Sequence, residues 1–333
     1  MFEPAFDETE ACHAFQSWIG NNDTWRQGSG SPNANPEHGE TSDASYRYIP
    51  MSVLRREFTK PKIKRLLDAV FARSDRAAPD AETIIKHYLR PFLILVHIGR
   101  GSQILRFVKQ DNLKDDCLPF QTLPHGLPES TDWFHTFCEK QWQFYPVPFS
   151  YNMDRDLSTR HILPLKYIRT LGGGGSAITY QVRIDTEYNG LRQSDPRELV
   201  RQTLLVSRPS LMLRQNILER NRDVYVIKSY RTHEAQDCYE TECNGFRKLR
   251  QDSKPPANII AFYGNFMWGS SRNILLEYAD CGTLKDYMKD KAPPVRAEDI
   301  ERFWNNVLAL LDGLLTIHGK DYMRSGKHKF MIG

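Results

Sequence analysis

With 333 residues, 40% of them hydrophobic and 11% aromatic, the chain is long enough for roughly two packed domains of about 150 residues. Its net charge of +4 is small and spread out, with no Lys/Arg block to mark a nucleic-acid partner, and Cys12, Cys117, Cys138, Cys238, Cys243 and Cys281 show no Cys-x-x-Cys pair, as reduced intracellular thiols do. Met1 to Glu10 is acidic rather than an apolar signal core, and the run Phe92 to Ile98 is too short for a bilayer; a cytoplasmic or nuclear protein without membrane contact is expected.

Taken in order, Ala11 to Ile19 reads as one short helix with Phe15, Trp18 and Ile19 on a face. Asn21 to Arg47 is rich in Gly, Ser, Asn, Pro and acids. It buries too little apolar surface to offset its ordering entropy, so residues 1–47 are expected to be a mostly disordered leader. A helical region is expected over 48–150. Thr59 is the candidate N-cap of a helix with Pro61 in its first turn and Ile63, Leu66, Leu67, Val70 and Phe71 at helical spacing. A second helix starts near Pro79-Asp80. Pro91 kinks or ends it, and Phe92 to Val96 continue as a buried helix or strand. Ile104, Leu105, Phe107 and Val108 resume a third element, and a fourth helix opens at Ser130 and carries Trp133, Phe134, Phe137 and Trp142. His87, His97 and His135 are isolated, with no spacing that suits a metal or a catalytic pair.

Leu165, Tyr167, Ile168 and Leu171 then form a strand-like run into Gly172-Gly173-Gly174-Gly175, and Ile178, Tyr180 and Val182 alternate with polar residues after it. Such a turn either lets backbone amides wrap a polyphosphate or is flexible punctuation. Asp185 to Asp223 reads as a polar surface excursion. The strand Val224 to Ser229 carries Lys228, either an exposed edge lysine or an ammonium facing phosphates. The helix His233 to Arg250 puts Tyr239, Glu242, Phe246 and Leu249 on one face. Glu242 there either points to solvent or pairs with a cation, for which Lys228 is the nearest candidate. Asn258 to Phe266 and Asn273 to Tyr278 read as two strands of a hairpin turning at Gly269 to Arg272. Thr283 opens a helix with a capping-box spacing to Asp286. Ala297 to His318 forms a long helix with Glu298 and Asp299 in its first turn and Ile300, Phe303, Val307, Leu310, Leu311, Leu314 and Leu315 on one broad side.

That order of elements resembles the N-terminal lobe and first C-lobe helices of the eukaryotic-type protein kinase family, taken as Ser/Thr type, over residues 161–320. Gly172-x-Gly174-x-x-Ala177 is similar to its Gly-rich loop, with Ala177 in place of the third glycine and Thr179 in place of the valine that roofs adenine. Val226-Ile227-Lys228 resembles the V-A-I-K strand, Glu242 the helix glutamate that pairs with its lysine, and Pro256-Ala257-Asn258-Ile259 the H-P-N-I entry. Leu276 falls at the gatekeeper, and Glu277-Tyr278-Ala279 at the hinge whose backbone meets adenine. The resemblance implies an α+β fold: a kinase-like N-lobe of antiparallel sheet plus one helix, then a partial helical C-lobe. It also implies ATP as cofactor, with magnesium expected for the family.

The resemblance stops before the catalytic loop. His328 is followed by Lys329-Phe330 in a divergent tail, 321–333, and neither H-R-D nor D-F-G is present, so the catalytic aspartate and the magnesium ligands are absent. The chain is therefore expected to carry the ATP-binding half of a truncated kinase domain without phosphorylating on its own. The alternatives are a non-catalytic, pseudokinase-like interaction module and a non-functional fragment. The apolar helix 297–315 is expected to attract a protein partner.

Overall fold

The structure, a computed structural model, describes residues 10–29, 46–120, 132–191, 223–232, 235–250, 259–279, 285, 288–289 and 292–318. These form two units. One takes in the described residues up to Val147 together with Arg160–Pro164, the other Pro148–Thr159 and those from Leu165 onward.

The first unit contains α1 (Glu10–Gly20), the short strands β1 (Arg26–Gln27) and β2 (Arg47–Tyr48), α2 (Met51–Glu57), α3 (Lys60–Phe71), α4 (Ala81–His87), α5 (Leu89–His97), α6 (Ile104–Phe107) and α7 (Asp132–Phe144). Asp80 caps α4 by accepting from the Thr83 amide at 2.9 Å, whereas Thr59 stands at the N-cap of α3 without a side-chain bond. Pro91 does not end a helix. It lies in the first turn of α5, where no intrahelical N–H is required, and the run Pro91 to Val96 is buried throughout. A helix buried on all sides belongs at the centre of its unit.

The expectation of a mostly disordered leader over 1–47 is corrected for residues 10–29. Cys12, Phe15 and Ile19 share one core with Ile63, Leu67, Phe92 and Leu95. The Trp18 ring meets Phe58 edge-on at 4.8 Å, and Trp25 donates its indole N–H to the Ile19 carbonyl at 2.7 Å while facing Phe144. Two tryptophans bury enough area to order a polar segment around them. Residues 30–45, where the rest of the expected disorder falls, lie outside the described residues.

The second unit contains β3 (Phe149–Ser150), β4 (Met153–Leu157), β5 (Leu165–Gly173), β6 (Ile178–Ile184), β7 (Asn189–Gly190), β8 (Val224–Tyr230), α8 (Gln236–Arg250), β9 (Phe262–Trp268), β10 (Ser271–Glu277) and α9 (Ala297–His318). Six strands form one sheet in the order β4-β9-β10-β8-β6-β5. The expected all-antiparallel sheet is corrected here, because β4 joins β9 in parallel. Only its end residues, Met153 and Leu157, are buried, so its sequence carries no alternation, and its pairing is made with residues far along the chain. Gly264 in β9 has φ +148°, and a Cβ there would lie 2.3 Å from the Met153 carbonyl oxygen, so the close approach of β4 requires glycine.

The turn of the β9–β10 hairpin is made by Gly269, at φ 58°. Most of the polar excursion, 192–222, lies outside the described residues, as do 256–258, most of the helix expected from Thr283, and the tail beyond His318. The broad apolar side expected on α9 divides in two. Phe303, Val307, Leu310 and Leu314 are half-buried, whereas Ile300, Leu311 and Leu315 are exposed together with Trp304 and Leu308.

Candidate functional site

β8 is the central feature of the site because it pairs antiparallel with β6 on one side and β10 on the other. Across this part of the sheet, Gly172 lies opposite Thr179, Thr179 opposite Lys228, and Lys228 opposite Ile274. The neighbouring row on the same face is Arg169, Gln181, Val226 and Leu276. Val226, Ile274 and Leu276 pack with Tyr239, Cys243 and Phe246 of α8, and Ala177 and Tyr278 lean on the same cluster. Hence the glycine turn, Thr179, Lys228, Val226 and Leu276 share the face of the sheet on which α8 packs.

α8 presents Tyr239, Cys243, Phe246 and Leu249 to the core, and Glu242 stands at the margin of that stripe. Glu242 therefore pairs with a cation rather than pointing to solvent, and Lys228 is that cation and not an exposed edge lysine. Lys228 Nζ and Glu242 Oε2 are 2.5 Å apart, and both side chains are only about one-fifth exposed, at 20% and 21%. The hydroxyl of Tyr230, on the same face of β8, donates to the same Glu242 oxygen at 2.5 Å. Burial, and then the adjacent Glu242 charge, push the Tyr230 phenol far above its ordinary range, so it remains a donor. Lys228 also stands 5.4 Å over the Tyr230 ring. Sequence reasoning missed Tyr230, although its place two residues beyond Lys228 on one strand sets both side chains on one face.

A polar network holds the far side of α8. Arg247 donates to Asp154 at 2.9 Å and to the Asn265 side-chain oxygen at 3.1 Å, while Asn265 Nδ2 donates to Asp154 at 2.8 Å and to the Tyr239 hydroxyl oxygen at 3.0 Å. Burial pushes the nearby Cys243 thiol up to about 12. This thiol is an inert packing group rather than a nucleophile.

The Gly turn is closed by the Gly174 amide donating to the Ala177 carbonyl at 2.9 Å. A Cβ added at Gly172, Gly173, Gly174 or Gly175 would meet nothing within 4 Å, and none of the four takes a left-handed φ. Among the described residues neither packing nor turn conformation demands glycine here, in contrast to Gly264. At the other end, the Glu277 amide donates to the Ala261 carbonyl and its carboxylate accepts from the Ala261 amide at 3.0 Å, so Glu277 anchors the approach to β9. Ala279, two residues further on, is exposed.

Among the described residues no group of His, Cys, Asp and Glu could hold a metal ion, and no helix is long and apolar enough to cross a membrane. Compared with protein-family models, the chain matches none. Compared with curated proteins, it again matches none.

Proposed function

We propose that the second unit is an ATP-binding lobe of protein-kinase type, in which Gly172, Gly174 and Ala177 border the phosphates and Lys228, held by Glu242, neutralises them. Thr179, Val226 and Leu276 supply the apolar surface for the base, and Glu277 and Ala279 stand where hinge backbone would meet it. The observation that carries the reading is the Lys228–Glu242 pair in the same cross-strand row as Gly172 and Thr179. A half-buried ion pair is a poor way to stabilise a core, because desolvation offsets most of its Coulombic gain. An ammonium kept there, beside four glycines that no described neighbour requires, suits a polyanion approaching closely from outside.

Among the described residues no cluster of carboxylates suits magnesium. The family's magnesium ligands and catalytic aspartate are missing from residues 1–333, and no transfer step is assigned to this chain. The proposed activity is binding.

Thermal denaturation with added ATP tests the reading. At free ATP a hundred times its dissociation constant the native state gains about 2.7 kcal/mol, a rise of several degrees, and Lys228→Ala removes most of it. An unchanged wild-type melting temperature at millimolar ATP, with or without magnesium, counts against it.

A second reading, a non-catalytic module acting through a protein partner, is favoured by the apolar stripe Ile300, Trp304, Leu308, Leu311 and Leu315 on the exposed side of α9. The two readings are compatible, since a lobe that binds nucleotide without turnover can still present that surface.

A further inference from the structure

We infer that Arg169 and Tyr278 form a strap across the base end of this cleft and decide which ligands it admits; the inference rests on the nucleotide reading above. Arg169 Nε donates to Gln181 Oε1 at 2.8 Å, and Arg169 Nη2 donates to the Tyr278 hydroxyl oxygen at 3.3 Å. The two ends of that chain of bonds start from opposite sides of the site. Arg169 is on β5, the edge strand, and Tyr278 directly follows β10, three strand intervals away. At about 4.8 Å per interval the backbones are roughly 14 Å apart, so a guanidinium and a phenol that touch must lie over the strands between them.

What lies between them is the row Gln181 and Val226, flanked by Leu276, on the face that α8 shares. Gln181 and Val226 are covered, at 8% and 6% exposure, Val226 in part by α8, while Arg169 itself is exposed. The adjacent row holds Lys228 and Gly172, where nothing within 4 Å crowds the glycines. One end of the cleft is therefore open and cationic, and the other is crossed. A flat heteroaromatic ring that approaches the Gln181–Val226–Leu276 row from this end meets the Arg169–Tyr278 contact and must displace it, whereas a linear polyphosphate reaches Lys228 without disturbing it.

The strap is a weak latch. Arg169 is exposed and Tyr278 half-buried, so opening their contact costs on the order of one net hydrogen bond, a bias of about three- to tenfold in affinity. Electrostatics alone predicts the opposite sign, because removing a cation near the site weakens any polyanion. The direction of the change is therefore diagnostic.

Isothermal titration of the full chain with ATP, adenosine and inorganic tripolyphosphate, on wild type, Arg169→Ala, Tyr278→Phe and Lys228→Ala, tests it. Arg169→Ala should tighten ATP and adenosine by about three- to tenfold while tripolyphosphate binding stays the same or weakens, and Tyr278→Phe should give a smaller gain of the same sign. If Lys228→Ala weakens ATP but Arg169→Ala leaves ATP and adenosine unchanged or weaker, the strap is overturned and the nucleotide site stands. If no variant, Arg169→Ala included, binds ATP, both fall together. Unliganded melting curves and circular dichroism that match wild type establish that the Arg169→Ala protein is folded.

Discussion

Glu242 Oε2 takes two donors, Lys228 and Tyr230, so losing one does not strand the carboxylate. Tyr230→Phe should lower stability by about 1–2 kcal/mol, measured by chemical denaturation, and leave the lysine in place. The glycines separate by physical cause. Gly264→Ala drives a Cβ into the Met153 backbone at a positive φ and should cost about 2 kcal/mol or more, whereas Gly174→Ala meets open space and should leave melting unchanged while weakening ATP. His97 supplies a pH signature. Burial, aided by the Lys140 charge, lowers it from 6.5 to about 4. Below 6.5 the unfolded chain takes up this proton before the native state does, so stability falls with pH down to about 4 and the full contribution is present above 6.5. The loss across that window should approach about 2–3 kcal/mol, and His97→Phe should flatten it in denaturant titrations run from pH 7 to pH 4.

At the level of elements, legibility followed the source of order. β6, β8, α8 and α9 were readable because alternation or three-and-four spacing is written locally. β4 was not, since Met-Asp-Arg-Asp-Leu has charged residues at its middle three positions and its partner lies far away in sequence. α1 was readable as a helix with Phe15, Trp18 and Ile19 on one face, but the core that face joins is built by Ile63, Leu67 and Phe92, far along the chain. For the site, Lys228, Glu242 and the glycines could be picked out by motif. Tyr230 was legible only through the strand's alternation, two residues beyond Lys228, and Arg169 and Gln181 were not, because cross-strand register decides their neighbours. The β4–β9–α8 network yields an asymmetric prediction. The Asp154–Arg247 pair is 67% and 44% exposed and Asp154→Ala should cost less than about 1 kcal/mol, while Asn265→Ala removes a buried donor from the Tyr239 hydroxyl and should cost about 1–3 kcal/mol.

For the whole molecule, the exposed face of α9 matters more to solution behaviour than to folding. Trp304→Lys with Leu308→Lys should leave the melting temperature within about a degree of wild type and raise the concentration at which light scattering first appears. The parallel edge of the sheet acts on a different clock. Asp154 and its ladder partner Asn265 are 111 residues apart, so at translation rates of about 5–20 residues per second the first strand leaves the ribosome on the order of ten seconds before its neighbour exists. During that wait the charges of Asp154, Arg155 and Asp156 discourage nascent chains from annealing through this stretch.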